Sequence, residues 1–109
     1  MMSENYKACI EACYICAAFC DNCAASCLKE KDIDMMRECI RLDMQCANLC
    51  RLAAQFMALG SDSAQELCKL CADVCQQCGE ECGKHDHDHC QECAKACHRC
   101  AEACRKMAA

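Results

Sequence analysis

Cysteines recur along this chain in alternating steps of three and four residues. The first run advances in steps 4-3-4-3-4, and two later runs advance in steps 3-4-3-4. Such an alternation places every member of a run on one stripe of an α-helix. The three runs consist of Cys9, Cys13, Cys16, Cys20, Cys23 and Cys27; of Cys68, Cys71, Cys75, Cys78 and Cys82; and of Cys90, Cys93, Cys97, Cys100 and Cys104. A thinner stripe holds Cys39, Cys46 and Cys50, with Asp43 at the position that would complete it.

Glycines and capping residues divide the chain into four predicted helices, at about residues 4–29, 34–59, 64–82 and 89–106. Gly60 and Gly83 fit helix C-termini. The predicted N-caps are Ser3 and Asp34, together with two capping boxes, Ser63 with Glu66 and Asp88 with Gln91.

The predicted connections are short, which favours antiparallel neighbours. The expected fold is therefore all-α: an antiparallel up-down-up-down four-helix bundle with a Cys-lined core, forming a single domain over residues 1–109.

Composition and charge exclude several functional classes. The net charge of −5 argues against nucleic acid as a partner. No stretch approaches 18 consecutive apolar residues, so no membrane association is expected. The first residues lack the basic and apolar segments of a leader, which predicts a cytoplasmic protein with reduced thiols. No paired nucleophile and base stands out, so we do not expect an enzyme.

Nineteen cysteines, about one residue in six, favour metal binding over other uses of thiols. Cysteines three or four apart on a helix have Cβ atoms about 5–6 Å apart, which is too far for an unstrained disulfide. Cys can act as a small core hydrophobe, but Ala, Val and Leu would fill the same space without the risk of oxidation.

Charge balance favours Cu(I) among the metals that thiolates bind. Each Zn²⁺ with four thiolates carries a net charge of −2, and burying several such sites is costly. Cu(I) is soft and monovalent, so about one Cu(I) per Cys leaves the core nearly neutral. Two alternatives stay open: a zinc or general soft-metal buffer, and an iron–sulfur electron-transfer protein. The spacing lacks the ferredoxin pattern and its proline.

The chain resembles the bacterial copper storage proteins, in their cytosolic branch. The resemblance lies in the first Cys run, in the segment Cys39–Ile40–Arg41–Leu42–Asp43 with Cys46 and Cys50, and in residues 78–90 with their HDHDH sequence. It covers nearly the whole chain. It implies a homotetramer of four-helix bundles, each holding many Cu(I) ions, and a role in copper homeostasis. A copper chaperone or effluxer is the class of protein partner expected to exchange these ions.

Four residues beside the cysteines are candidates for additional metal ligands or for the route by which metal enters. His85 and His87 lie between the third and fourth helices, at the end of the bundle that also carries Met36. Thioether, imidazole and thiolate together suit a soft metal. Asp43 is expected to bind metal, to accept a hydrogen bond from a thiol, or to pair with Arg or Lys, because an unpartnered buried carboxylate is costly.

A second apolar stripe runs beside the cysteines on the second and third helices. It predicts either packing between neighbouring helices or a subunit interface. Its members are Leu42, Leu49, Leu52, Phe56, Leu59, Leu67, Leu70 and Val74.

Overall fold

The computed structural model describes residues 4–109, and these residues form four α-helices joined by connections of four or five residues. The helices are α1 (Glu4–Cys27), α2 (Ile33–Ala58), α3 (Ala64–Gly83) and α4 (Asp88–Ala108). Each helix packs against two others, in the closed order α1–α2–α3–α4–α1. The bundle is elongated, with extents of 47 × 18 × 17 Å. The predicted antiparallel four-helix bundle is confirmed.

The cysteine stripes form the axis of the bundle. Since consecutive members of a stripe lie on one helix face, all four helices can turn their thiols inward together. Every Cys side chain is at most 1 % exposed. Small alanines, among them Ala17, Ala47 and Ala101, fill the buried positions beside the thiols and allow the helices to approach closely.

The helix termini depart from the predicted capping pattern. Ser3 lies outside the described residues. Asp32 rather than Asp34 occupies the N-cap position of α2, without a capping hydrogen bond from its side chain, and Asp34 in the first turn accepts a hydrogen bond from Arg37 Nε at 2.9 Å. Gly60 has a φ of +69°, as expected for the residue that terminates α2.

Neither predicted capping box forms. Ser63 occupies the N-cap position of α3 without a capping hydrogen bond from its side chain. At α4 the N-cap is His87, one residue earlier than predicted, so Asp88 lies in the first turn. Gln91 instead donates its amide hydrogens to the carbonyl oxygens of His85, at 2.7 Å, and Gly83, at 3.2 Å. These bonds tie the α3–α4 loop to α4.

Helix α1 meets the length and hydropathy criteria for a membrane span, with a mean hydropathy of 1.3 in its most apolar window. The expectation of no such segment rested on uninterrupted apolar runs. Cys and Ala raise the mean although polar residues interrupt the helix. A core helix of a bundle passes the same test, and α1 packs its thiols against α2 and α4, so the finding is weak support for a membrane span.

One end of the bundle, which we call the histidine end, is formed by the α1–α2 turn (residues 28–32) and the α3–α4 loop (residues 84–87). The α1–α2 turn is held by a backbone hydrogen bond from Glu30 N to Cys27 O at 3.1 Å. Here α1 and α3 end and α2 and α4 begin, which brings three histidines close to the last thiols of the core.

Candidate metal centre

The thiols form one continuous network along the bundle axis. Sulfur atoms from different helices approach to 3.3 Å between Cys39 and Cys82 and to 3.5 Å between Cys46 and Cys75. Many further pairs lie 3.6–3.9 Å apart. All nineteen cysteines are free thiols. Even the closest of these pairs is far beyond the S–S bond length of about 2.05 Å, so the core consists of thiols rather than disulfides.

Groups of four sulfur atoms lie close enough to hold a metal ion, with all members of each group within 4.8 Å of one another. Five of these groups are Cys13, Cys71, Cys100 and Cys104; Cys16, Cys46, Cys50 and Cys75; Cys16, Cys20, Cys46 and Cys97; Cys20, Cys78, Cys93 and Cys97; and Cys23, Cys27, Cys39 and Cys90. Cys16, Cys20, Cys46 and Cys97 each belong to two of them.

Overlap between groups distinguishes this core from a row of separate zinc sites. A structural zinc ion takes four ligands of its own, so two overlapping groups cannot both be isolated tetrahedral sites. A thiolate that bridges two metal ions can belong to two groups at once, so both groups can then hold metal. The arrangement therefore favours a soft metal that accepts bridging sulfur.

Burial raises the pKa of two thiols at the histidine end, Cys27 and Cys90, whereas hydrogen bonds from Cys23 and Cys82 lower the pKa of Cys39 to about 3. The pKa of Cys90 rises to about 11, chiefly by burial and then by the negative charge of Cys39. The pKa of Cys27 is raised by the same causes, with burial again the largest. These thiols are neutral near pH 7 and pack as small apolar groups in the metal-free core. At these two positions, a monovalent metal that replaces the thiol proton leaves the charge unchanged.

Asp43 is fully buried in the thiol network at 0 % exposure. Its Oδ1 accepts hydrogen bonds from the thiols of Cys78, at 3.2 Å, Cys82, at 3.3 Å, and Cys93, at 3.4 Å. Its Oδ2 faces Cys39 at 3.8 Å. Of the three roles expected for Asp43, the metal-free structure shows thiol hydrogen bonding, and no Arg or Lys pairs with it among residues 4–109. Burial raises the pKa of Asp43 to about 8, with the charges of Cys93 and Cys39 adding to the shift.

His89 is the histidine that reaches the thiol core. Its Nδ1 lies 3.5 Å from the sulfur of Cys90, 3.7 Å from that of Cys23 and 3.8 Å from that of Cys27. The HDHDH sequence predicted a metal entry or relay site that includes His89, but His85 and His87, rather than His89, were the candidate ligands chosen from it. The signal available was its position directly before Cys90, which places it at the start of α4 beside the last thiols.

The two histidines chosen from the sequence lie farther from the thiols. His87 Nδ1 is bonded to Glu30 Oε2 at 2.8 Å, and its ring stacks on that of His89 with centroids 5.3 Å apart. His85 Nε2 is bonded to Glu81 Oε2 at 2.9 Å. Neither makes a hydrogen bond to a thiol in the described part of the chain.

Met36, the fourth candidate, is fully buried at the same end of the bundle, near the start of α2. It therefore fills the end of the core, where a thioether is available to a soft metal without being exposed to solvent.

Residues of the second apolar stripe divide into two sets. Leu42 is buried, and Leu49, Phe56, Leu67 and Val74 are half-buried against the core. Leu52, Leu59 and Leu70 are exposed, at 41 %, 73 % and 53 %. The buried and half-buried residues of the stripe pack between helices, whereas the three exposed leucines are available to a partner surface.

The chemistry of the site defines a class of protein. A closed bundle whose axis is a connected set of buried thiols, with imidazoles at one end, is a container for many soft metal ions rather than a single metal centre.

Comparisons with known proteins identify the family. The family model for copper storage proteins matches residues 2–109. The chain is 54% identical to the uncharacterized cysteine-rich protein YhjQ of Bacillus subtilis (strain 168) over 108 residues, which covers 99% of this chain and 100% of that protein. This chain belongs to the copper storage protein family.

Solved structures agree with this assignment. The Cu(I)-bound copper storage protein BsCsp3 matches with a TM-score of 0.93 and 54% identity, over 97% of this chain and 100% of that one. A cytosolic copper storage protein from Streptomyces lividans, described with five coppers, matches with a TM-score of 0.93 and 39% identity, over 96% of this chain and 92% of that one. The predicted family, the Cys-lined bundle and copper storage as the function are confirmed.

Proposed function

We propose that this chain stores and sequesters Cu(I) in the cytosol, using its nineteen Cys thiolates at about one Cu(I) per Cys. The observation that carries the proposal is the overlap of the four-thiol groups, in which single sulfurs such as Cys16 and Cys46 serve two groups. Bridging by these sulfurs lets the number of ions approach the number of thiols. The solved relatives support copper as the cargo and the cytosol as the location.

The role is storage without a catalytic step. The thiols are all buried and equivalent in kind, so they bind metal rather than attack a substrate. His89 joins the Cys ligands in this proposal, because its Nδ1 faces three thiols. His87 and His85 stand outside the core as groups that pass ions inward, and Asp43 and Met36 contribute oxygen and thioether donors at the same end.

Self-association into a tetramer is part of the proposal. The exposed apolar side chains Leu52 and Leu70 on α2 and α3 would be covered by neighbouring copies. A copper chaperone or effluxer would exchange ions at the histidine end. This requires that the histidine end of each copy stays accessible in the tetramer.

A competition between metals tests this function. Reduced protein is mixed without oxygen with Cu(I) and Zn²⁺, each at one equivalent per thiol, and then desalted for metal analysis. We expect copper at about one ion per Cys and almost no zinc. Retention of about one zinc ion per four thiols in place of copper, or the isolation of iron with labile sulfide, would contradict copper storage.

A further inference from the structure

One carboxylate oxygen, Oε2 of Glu30, contacts two imidazoles at the histidine end. It lies 2.8 Å from Nδ1 of His87 and 3.4 Å from Nε2 of His89. The two rings are nearly parallel, at an interplanar angle of 5°. Glu30 comes from the α1–α2 turn, whereas both histidines come from the opposite α3–α4 connection and the start of α4.

An ionised carboxylate can only accept hydrogen bonds, so the imidazole nitrogen that faces it must carry the hydrogen. In a neutral imidazole the other nitrogen is then unprotonated. For His89 this leaves Nδ1 free, and Nδ1 is the atom that faces Cys23, Cys27 and Cys90. The ring of His87 faces a carboxylate at each nitrogen, because Nδ1 lies 2.8 Å from Glu30 Oε2 and Nε2 lies 3.6 Å from Asp32 Oδ1.

We propose that Glu30 is a positioning residue for copper transfer: its carboxylate holds the ring of His87 and selects the tautomer of His89 that directs an unprotonated Nδ1 toward the thiols. The proposal rests on the proposed copper-storage function. Cu(I) would then pass from Nδ1 of His89 to sulfur. In this step a Cu–N bond breaks as a Cu–S bond forms, the thiol proton leaves to solvent, and copper stays Cu(I).

The loop that carries His87 is held independently of Glu30. Gln91 donates to the carbonyl oxygens of Gly83 and His85, and the backbone nitrogens of Cys90 and Gln91 both bond to the carbonyl oxygen of His87. Removing the Glu30 carboxylate should therefore free the two rings while the backbone stays in place. This makes the role testable without unfolding the site.

The first test is the tautomer of His89 in the metal-free protein, read from the ¹⁵N chemical shifts of its ring nitrogens. Spectra are recorded well above the reference imidazole pKa of about 6.5, so that the neutral ring dominates. In the unchanged chain we expect hydrogen on Nε2 and a bare Nδ1. In Glu30→Ala we expect a mixture of tautomers. A spectrum of His89 that is identical in both proteins would overturn the proposal.

The second test is the rate of Cu(I) uptake from a coloured chelator, measured by stopped flow. Loss of a partner that orients a metal-binding histidine typically costs ten- to hundredfold in function, so we expect Glu30→Ala to slow uptake about tenfold. Glu30→Gln keeps the size and an oxygen acceptor, so its uptake rate should lie between those of Glu30→Ala and the unchanged chain. Equal rates for Glu30→Ala and the unchanged chain would overturn the proposal even if the tautomers differ.

Asp86→Asn is the matched control, because Asp86 is an exposed carboxylate in the same loop and contacts neither ring. It removes the same charge from the same end, so it should leave both tautomer and rate unchanged. A similar slowing in Asp86→Asn and Glu30→Gln would assign the effect to general attraction of cations and overturn positioning. Total Cu(I) capacity is titrated in parallel. A low capacity of the unchanged chain would refute copper storage itself. Full capacity, together with an uptake rate that Glu30→Ala leaves unaltered, would refute only the role of Glu30.

Discussion

The thiol of Cys78 donates a hydrogen bond to Oδ1 of Asp43 at 3.2 Å, in the interior of the bundle and out of contact with solvent. A carboxyl group so placed is stabilised by thiol donors but lacks a positive partner in the described chain. Its pKa is raised to about 8, mainly because burial disfavours the charged form.

This raised pKa predicts how the stability of the metal-free protein depends on pH. The native state binds a proton at Asp43 that the unfolded chain, with a pKa near 3.9, releases. The stabilisation of the folded state by protonated Asp43 is complete below about pH 4 and is lost as pH rises toward about 8. Within that window Asp43 contributes a slope of about −1.4 kcal/mol per pH unit.

Urea unfolding of the reduced, metal-free protein at several pH values measures this slope. Asp43→Asn keeps the size and an oxygen acceptor but has no ionisable group. In this variant the slope of the unfolding free energy against pH should be less negative by about 1.4 kcal/mol per pH unit. An unaltered pH dependence in the variant would show that Asp43 keeps an ordinary pKa.

The metal-free protein should already be folded. Buried thiols and small alanines fill the core, so metal does not have to create the structure as it does in zinc fingers. Circular dichroism of the fully reduced protein in the presence of a copper chelator should give a mostly helical spectrum. The spectrum of an unfolded chain that becomes helical only on addition of Cu(I) would contradict this.

Replacing His89 should slow copper movement more than replacing either of the other loop histidines. Because His89 is the histidine within hydrogen-bond reach of thiols in the described part of the chain, we expect His89→Ala to slow both uptake and removal about tenfold and to cost at most about one or two ions of capacity. His87→Ala should have a smaller effect, and His85→Ala the smallest.

His98→Ala is the control for these variants, since His98 is an exposed histidine on α4 outside the thiol core. Stopped-flow transfer to and from a coloured chelator gives both rates. If His89→Ala behaves like His98→Ala, copper enters elsewhere.

Self-association should depend on the exposed part of the second apolar stripe. Leu52→Glu together with Leu70→Glu places charge on the surface that copies would cover, so the sedimenting mass should fall toward that of one chain. Capacity for Cu(I) should not change, because neither residue contacts the core. Leu28→Glu, at a leucine in the α1–α2 turn that is 63 % exposed, is the control and should leave the mass unaltered. An unchanged chain that sediments as a monomer would disprove the interface.

The fold could be derived almost entirely from the cysteine spacing. A three-four alternation defines one face of a helix, and runs such as Cys9–Cys27 are long enough to fix the helix that carries them. The helix termini were less certain, because Asp32, Asp34 and Ser63 are all chemically able to cap. Which residue takes the N-cap position, and whether its side chain bonds there, depends on the exact path of the turn, which local spacing does not determine.

The site could be predicted only in part, because some of its contacts join segments that are distant in sequence. The inward direction of each Cys follows from periodicity on its own helix. The contacts of His89, in contrast, depend on how the α1–α2 turn and the start of α4 meet across the bundle. Glu30 and His89 are 59 residues apart in sequence, so no local pattern links them. Asp43 was recognised by its place in a Cys stripe, but its four thiol neighbours come from three helices.

The most direct measurement is an anaerobic titration of the reduced protein with Cu(I) in competition with a chromophoric chelator, which counts the ions bound per chain at saturation. Nineteen thiols that share bridging ions should bind copper at about one ion per thiol, so the chelator should begin to colour only after high-teens to about twenty equivalents. Saturation near one ion per four thiols, about five equivalents, would mean separate tetrahedral sites and would contradict a continuous copper–thiolate store.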